Sequence, residues 1–281
     1  MRYIDWILPL KIKNLLKHFF KKKDSILKET ETKEIVNPIL ETNQGLNNSV
    51  GDNKICYILA CGPSIKEMDL TKLIDKDCIS VSNFFVHPLY QQIQPKYHVF
   101  APTHEPITHE QYNSWIKDFQ DKTSFKTTVL LNAYNKPITD KVAIHPEIDR
   151  VFYELSNMMP DSFDVICLHK PLPCVQTVVH IAIYIAISLG YTEINLLGVD
   201  HDWLFHFGKS LHFYNENESK LVTSNYDEYK NVDLEEEFKS HVKLWSIYKL
   251  IKKHCDSNNI KIYNCTPNSF LDVFEKRNII N

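Results

Sequence analysis

Acids, histidines and a tyrosine crowd into one short stretch of this 281-residue chain, and between them they could do two kinds of chemistry. Asp200-His201-Asp202-Trp203-Leu204-Phe205-His206 is followed by His212 and Tyr214. The carboxylates and imidazoles carry metal-ligating atoms. Their spacing matches no helical ligand pair of the His-Glu-x-x-His kind, so no metal site is expected. Histidine and tyrosine also donate protons, and donors facing a departing phosphate stabilise the charge that develops on its oxygen. His212 and Tyr214 are the candidates for that role.

A second cluster follows the apolar run Tyr57–Cys61, which ends in Gly62-Pro63-Ser64. Such a turn offers backbone N–H groups and a hydroxyl to a phosphate or nucleoside, with the glycine letting a ligand approach the backbone. It is no Walker loop, and no G-x-G-x-x-G pattern follows it. Asn83 stands directly after a second apolar run, where it either hydrogen-bonds a base or ribose or caps a turn. A third candidate is His241. Leu234, Phe238, His241, Trp245 and Tyr248 are spaced by four, three, four and three residues, so they share one helix face turned to the body. An inward histidine there is either a general base or a core residue with a satisfied hydrogen bond.

Strands are expected at 55–61, 78–82, 97–100, 127–132, 150–154, 193–199 and 260–264, and helices at 66–73, 174–189, 234–255 and 269–274. The segment Cys174–Leu189 is apolar nearly all round and hence buried, with Gly190 as its left-handed cap. Strands alternating with helices imply an α/β fold, one Rossmann-like domain over residues 54–281 with a mostly parallel sheet flanked by helices. Two strands ending in polar turns, at Ser64 and at Asp200, suggest a ligand crevice beyond the strand ends.

A 43% hydrophobic content supports one large core, and a net charge of −3 speaks against a nucleic-acid partner. The seven cysteines form no C-x-x-C pair and read as reduced core thiols of a cytoplasmic protein. Residues 1–23 differ from the rest. Arg2, Lys11, Lys13, Lys17, Lys21, Lys22 and Lys23 face a single acid, Asp5, with Trp6, Leu15, Phe19 and Phe20 among the apolar residues. This reads as an N-terminal basic amphipathic helix making peripheral contact with the inner face of the cell membrane, or else docking on a partner or on the body. Residues 24–53 are polar and without period, and are expected to be a flexible linker.

Four motifs add a resemblance. Ala-Cys-Gly-Pro-Ser at 60–64, Ser-Asn-Phe-Phe at 82–85, Leu-Gly-Tyr-Thr-Glu-Ile-Asn-Leu-Leu-Gly-Val-Asp at 189–200 and Tyr-Asn-Cys-Thr-Pro-Asn-Ser at 263–269 occur in the order seen in bacterial lipooligosaccharide sialyltransferases. The chain also resembles the related MptE-like superfamily, which includes motility-associated-factor glycosyltransferases and archaeal 6-hydroxymethylpterin diphosphokinases. The sialyltransferase resemblance implies transfer of a sialic-acid-like sugar from a CMP-activated donor to a glycan hydroxyl, with inversion and without a cofactor. Such an enzyme would serve surface-glycan biosynthesis, of lipopolysaccharide or capsule, and could assemble as an oligomer. It implies nucleotide contacts at Gly62, Pro63, Ser64 and Asn83, at Gln176 or Thr177, at Gly198 and Asp200, and at Pro267, Asn268 and Ser269. It marks His241, 26 residues before Pro267, as the base. The chain departs from that family at Cys61, where asparagine is usual, and at Asp202, where tyrosine is. The other branch implies a diphosphokinase using ATP and Mg²⁺, with Asp200 and Asp202 as hard oxygen ligands. A non-catalytic nucleotide-binding protein is the third reading.

Overall fold

The computed structural model describes residues 36–104, 107–203, 212–214 and 233–278. The amphipathic segment 1–23 and His206 lie outside them. Eight strands form one sheet: β1 (Ile55–Leu59), β2 (Cys78–Val81), β3 (Tyr97–Val99), β4 (Thr127–Asn132), β5 (Ile148–Tyr153), β6 (Glu193–Leu197), β7 (Lys261–Asn264) and β8 (Glu275–Lys276). Their order is β5-β4-β3-β2-β1-β6-β7-β8, and every neighbouring pair is parallel. Central strands such as β1 and β6 are apolar runs because helices cover both faces of a parallel sheet.

Alternation along β1 separates the two cores. Cys56, Ile58 and Ala60 point to one face, where they meet the helix Val178–Leu189 and the buried side of the long helix Leu234–Ser257. Tyr57, Leu59 and Cys61 point to the other, against Phe84, Phe85 and the helix His109–Asp121. The helix Val178–Leu189 is buried at every position but the first, as its all-round hydrophobicity requires, and Gly190 ends it at φ +98°.

The chain runs outward from β1 to β5, then crosses back through the buried helix to place β6 on the other side of β1. Register pairs Ile55 with Glu193 and Leu59 with Leu197, so β1 and β6 end side by side. That reversal of strand order opens a crevice at their carboxyl ends.

Several expectations are corrected. Residues 36–41 are helical and Val36 and Leu40 are buried, so the body begins well before residue 54 and the expected linker is packed from Val36 onward. Asn43 donates its side-chain amide to the carbonyls of Phe152 (2.7 Å) and Leu168 (3.0 Å). Asn47 accepts from the Ser188 hydroxyl at 2.7 Å. Residues 269–274 are not helical, because Ser269 turns its side chain into the core. In place of a helix over 66–73 there are two short 3-10 turns, Pro63–Glu67 and Leu70–Leu73, separated by Met68 and Asp69. The buried helix begins at Val178 and not at Cys174, with Thr177 as its extended cap. On the long helix the buried stripe is His241, Leu244, Ile247, Tyr248, Ile251 and Cys255, while Leu234 and Phe238 are more than half exposed at its first turns. All seven cysteines are buried free thiols. Among the described residues no helix is long and apolar enough to cross a membrane.

Candidate functional site

The crevice between the ends of β1 and β6 contains a cleft of about 110 Å³. Its walls come from Ala60–Gly62 after β1, Val81–Ser82 after β2, Thr177–Val179 at the start of the buried helix, and Gly198–His201 with Trp203 after β6; His212 completes them. Drug-sized ligands occupy about 300–1,000 Å³. The described walls therefore enclose less space than a ligand of that size fills. Two larger grooves lie on the long helix, one lined by Leu234, Phe238 and Val242 and the other by Lys249 and Lys252. Neither gathers groups from several strand ends, and the smaller cleft does.

Local sequence explains how the cleft is held open. Gly62 donates its N–H to the Gly198 carbonyl at 2.9 Å. A Cβ on Gly62 would collide with the Asp200 carboxylate and stand 2.5 Å from that carbonyl. On the side where a side chain would stand, the space glycine leaves is filled by the Asp200 carboxylate. Gly198 sits at φ +70°, and a Cβ there would meet Ile65 Cγ1 at 2.5 Å. Both glycines are required by the close approach of the two turns.

Ser64 donates its backbone N–H to Asp200 Oδ1 (3.1 Å) and its hydroxyl to Oδ2 (2.8 Å). Burial raises the Asp200 pKa, the two Ser64 hydrogen bonds oppose that rise, and the nearby Asp202 charge adds to it. Cys61 is no nucleophile. Burial pushes its thiol up to about 12, against a smaller opposing contribution from the Asn83 N–H, and its Sγ–H donates to the Val81 carbonyl at 3.4 Å.

The buried helix aims its amino terminus at the cleft. Thr177 accepts from the Val179 N–H, and Val178 and Val179 form part of the wall. A twelve-residue helix presents a partial positive charge there, which favours an anion.

Of the expected site residues, the structure brings Gly62, Thr177, Gly198, Asp200 and His212 to the cleft. Tyr214 stacks on His212 with ring centroids 4.9 Å apart. Pro63 and Ser64 stand just behind the wall, in the first 3-10 turn. Asn83 is buried and its Oδ1 accepts from the Trp115 indole. Gln176 donates its side-chain amide to Ser240 Oγ at 2.8 Å. Pro267 and Asn268 are exposed. Ser269 is buried and donates to the Val199 carbonyl at 2.6 Å, so it fixes the end of β6 from within.

His241 is buried but is not part of the cleft wall. Its Nδ1 lies 2.9 Å from the Glu237 carbonyl, which can only accept, so Nδ1 carries the proton and Nε2 the lone pair. Nε2 is buried without a partner, and the Trp203 ring, which lines the cleft, packs edge-on against the imidazole at 5.7 Å. Among the described residues no three acids, histidines or cysteines gather into a cation site.

No protein-family model matches the chain, and no curated protein matches its sequence. Among solved structures it is similar to the sialyltransferase CstII from Campylobacter jejuni in complex with a substrate analogue, CMP-3FNeuAc. The identity is 18%, over 81% of this chain and 90% of that chain, with a TM-score of 0.48. It is also similar to the sialyltransferase CST-II in complex with trisaccharide acceptor and CMP, at 17% identity over 81% and 89% of the two chains and a TM-score of 0.43. At such values the chemistry of the site has to be read from its own residues.

Proposed function

We propose that the chain is a glycosyltransferase that takes a sialic-acid-like sugar from a CMP-activated donor and passes it to a glycan hydroxyl with inversion. The observation that carries this reading is the convergence at one cleft of the Gly62 turn, the Gly198 turn and the amino terminus of the buried helix. The two glycine turns shape the cleft, and the helix end supplies a partial positive charge where a donor phosphate would sit. The four sequence motifs that resemble bacterial sialyltransferases include both glycine turns.

In the proposed reaction the bond between the anomeric carbon and the phosphate oxygen breaks, and its electron pair leaves with the phosphate. The helix terminus and His212 stabilise that leaving charge. The acceptor oxygen bonds to the carbon from the opposite face and gives its proton to His241 once movement of the Trp203 ring, which packs on the imidazole, uncovers its Nε2. Once protonated, His241 has Glu237 Oε1 at 3.3 Å to stabilise its charge. No metal or cofactor enters these steps.

One observation favours a second reading. Asp202 lies close enough to Asp200 to raise its pKa, and two carboxylates at a phosphate site are what Mg²⁺ would neutralise in a diphosphokinase. Ligand-induced thermal shift with CMP, UDP, GDP and ATP, each with and without Mg²⁺, separates the readings. Stabilisation by CMP without metal is expected. Stabilisation by ATP only with Mg²⁺ would replace the transferase by the kinase, and no shift with any nucleotide would sink both.

A further inference from the structure

His201, a wall residue of the cleft, combines a strained backbone with a buried polar partner. It follows Asp200 at φ +53°, a left-handed conformation that costs a residue with a bulky side chain and recurs at sites where function holds it in place. The residue belongs to the cleft wall, yet it is only 6% exposed. Nε2 lies 2.7 Å from the Tyr248 hydroxyl.

Tyr248 decides which ring nitrogen holds the proton. It is wholly buried on the long helix, and burial raises its pKa well above the usual tyrosine range, so it stays an O–H. A buried hydroxyl donates to the acceptor it has, and here that is His201 Nε2. The Tyr248 ring is itself clamped. His180 packs on it edge-to-face at 4.2 Å, and Phe274 does so at 5.8 Å. His180 in turn is oriented by the Gln176 N–H, which donates to its Nδ1 at 3.2 Å.

We infer that His201 is a neutral hydrogen-bond donor of the cleft, its Nδ1–H tautomer fixed by Tyr248, and that it binds a phosphate oxygen of the nucleotide. The inference deepens the proposed function and rests on it for the identity of the ligand. Burial and then the neighbouring His241 lower the His201 pKa to about 3, so the ring stays uncharged at neutral pH. An uncharged N–H neither attracts the Asp200 carboxylate out of its Ser64 bonds nor competes as an ion pair. The donor is therefore available to the ligand beside two acidic residues. Tyr248 is a positioning residue, since it acts through His201.

The test pairs a spectroscopic readout with a binding one. In protein labelled with ¹⁵N at histidine, the His201 ring nitrogens should show the Nδ1–H tautomer, and Tyr248→Phe should shift it toward a mixture. CMP binding by calorimetry should weaken at least tenfold in His201→Gly, which keeps the left-handed backbone but has no donor. It should recover within about threefold in His201→Asn, whose amide nitrogen occupies the Nδ1 position and whose backbone tolerates the same φ. An Nε2–H tautomer in the wild-type protein, or unchanged CMP affinity in His201→Gly, would overturn the inference. Wild-type protein that binds no CMP would overturn the donor assigned under the proposed function, and the same spectra would still decide the tautomer.

Discussion

Ser64 gives both its backbone N–H and its hydroxyl to the carboxylate of Asp200, 136 residues away, and so ties the turn after β1 to the turn after β6. The pairing fixes the mouth of the cleft at the point where the sheet changes direction. It also sets the protonation of Asp200. Burial raises the pKa above the ordinary 3.8, and the Ser64 bonds hold part of that rise back. For an acid with a raised folded pKa, the folded state binds the extra proton. The stabilising contribution is complete below 3.8 and is lost as pH rises through the folded value.

Ser64→Ala should therefore move the Asp200 titration upward and lower stability at pH 7 by about 1.5–3 kcal/mol, the range for hydrogen bonds to a charged group. Asp200→Asn should remove this titration, so that its stability relative to wild type improves with rising pH between pH 3 and 7. Denaturant titrations across that range check both. Parallel profiles for wild type and Asp200→Asn would show that Asp200 does not titrate there.

The two glycines make a prediction about folding rather than about ligand contact. Gly62→Ala would push its Cβ into the Asp200 carboxylate, and Gly198→Ala would need a non-glycine residue at φ +70° beside Ile65. Each should lose more than about 1 kcal/mol of stability, beyond the ordinary glycine-to-alanine effect at a permissive site. Nucleotide affinity should fall with it. A Gly62→Ala protein with wild-type melting temperature would mean that Asp200 can leave the turn freely.

The packed segment ahead of β1 yields a truncation test. If residues 1–23 make the membrane contact that their basic and apolar composition leads one to expect, removing residues 1–35 should abolish pelleting with anionic liposomes. Removing residues 1–50 should also destabilise the body. It strips buried Leu40, the two Asn43 hydrogen bonds and the Asn47–Ser188 contact. Liposome binding that survives loss of residues 1–35 would put the membrane contact elsewhere.

That segment shows where the sequence was hard to read. Asn43 and Asn47 look like linker residues in composition, and only their tertiary partners at Phe152, Leu168 and Ser188 make them staples. The two-residue strand Glu275–Lys276 has no apolar pattern at all. The helix His109–Asp121 was legible in principle, since Thr108 and Gln111 form a capping box ahead of Tyr112, Trp115, Ile116 and Phe119. The β1 and β6 strands were plain because each is an apolar run closed by a glycine turn. The site was legible to the same degree. Gly62, Gly198 and Asp200 follow from strand ends, whereas the Ser64–Asp200 and His201–Tyr248 pairings cross 136 and 47 residues and leave no local mark.

The assignment of the base can be tested by contrast. His241→Ala should lower transfer by about 10²–10⁴-fold with nucleotide affinity nearly intact, as general-base loss does. His212→Ala, at the cleft wall, should weaken nucleotide binding and turnover together. If His241→Ala turns over normally, its buried Nε2 takes no part and His212 becomes the base.

Acid should unfold this protein through its histidines. His98, His180 and His201 are buried, and burial lowers all three: His98 and His201 to about 3, and His180 well below 6.5. His98 sits in the aromatic layer, 4.4 Å from the Phe119 ring and 2.8 Å from Ser80 Oγ. A base with a depressed folded pKa contributes stability that is complete above 6.5 and is lost as pH falls from 6.5 toward the folded value, because the unfolded chain takes up the proton. At pH 5 unfolding should thus bind about three protons at these sites, and stability should fall by ~4 kcal/mol per pH unit from them alone, at about 1.4 kcal/mol per proton. The Asp200 contribution runs the other way but involves a single group, so the histidines dominate. Denaturant midpoints measured from pH 7 to pH 5 give the slope directly. His98→Gln should reduce it by about a third. A slope near zero over that interval would mean that the three histidines are charged in the folded protein.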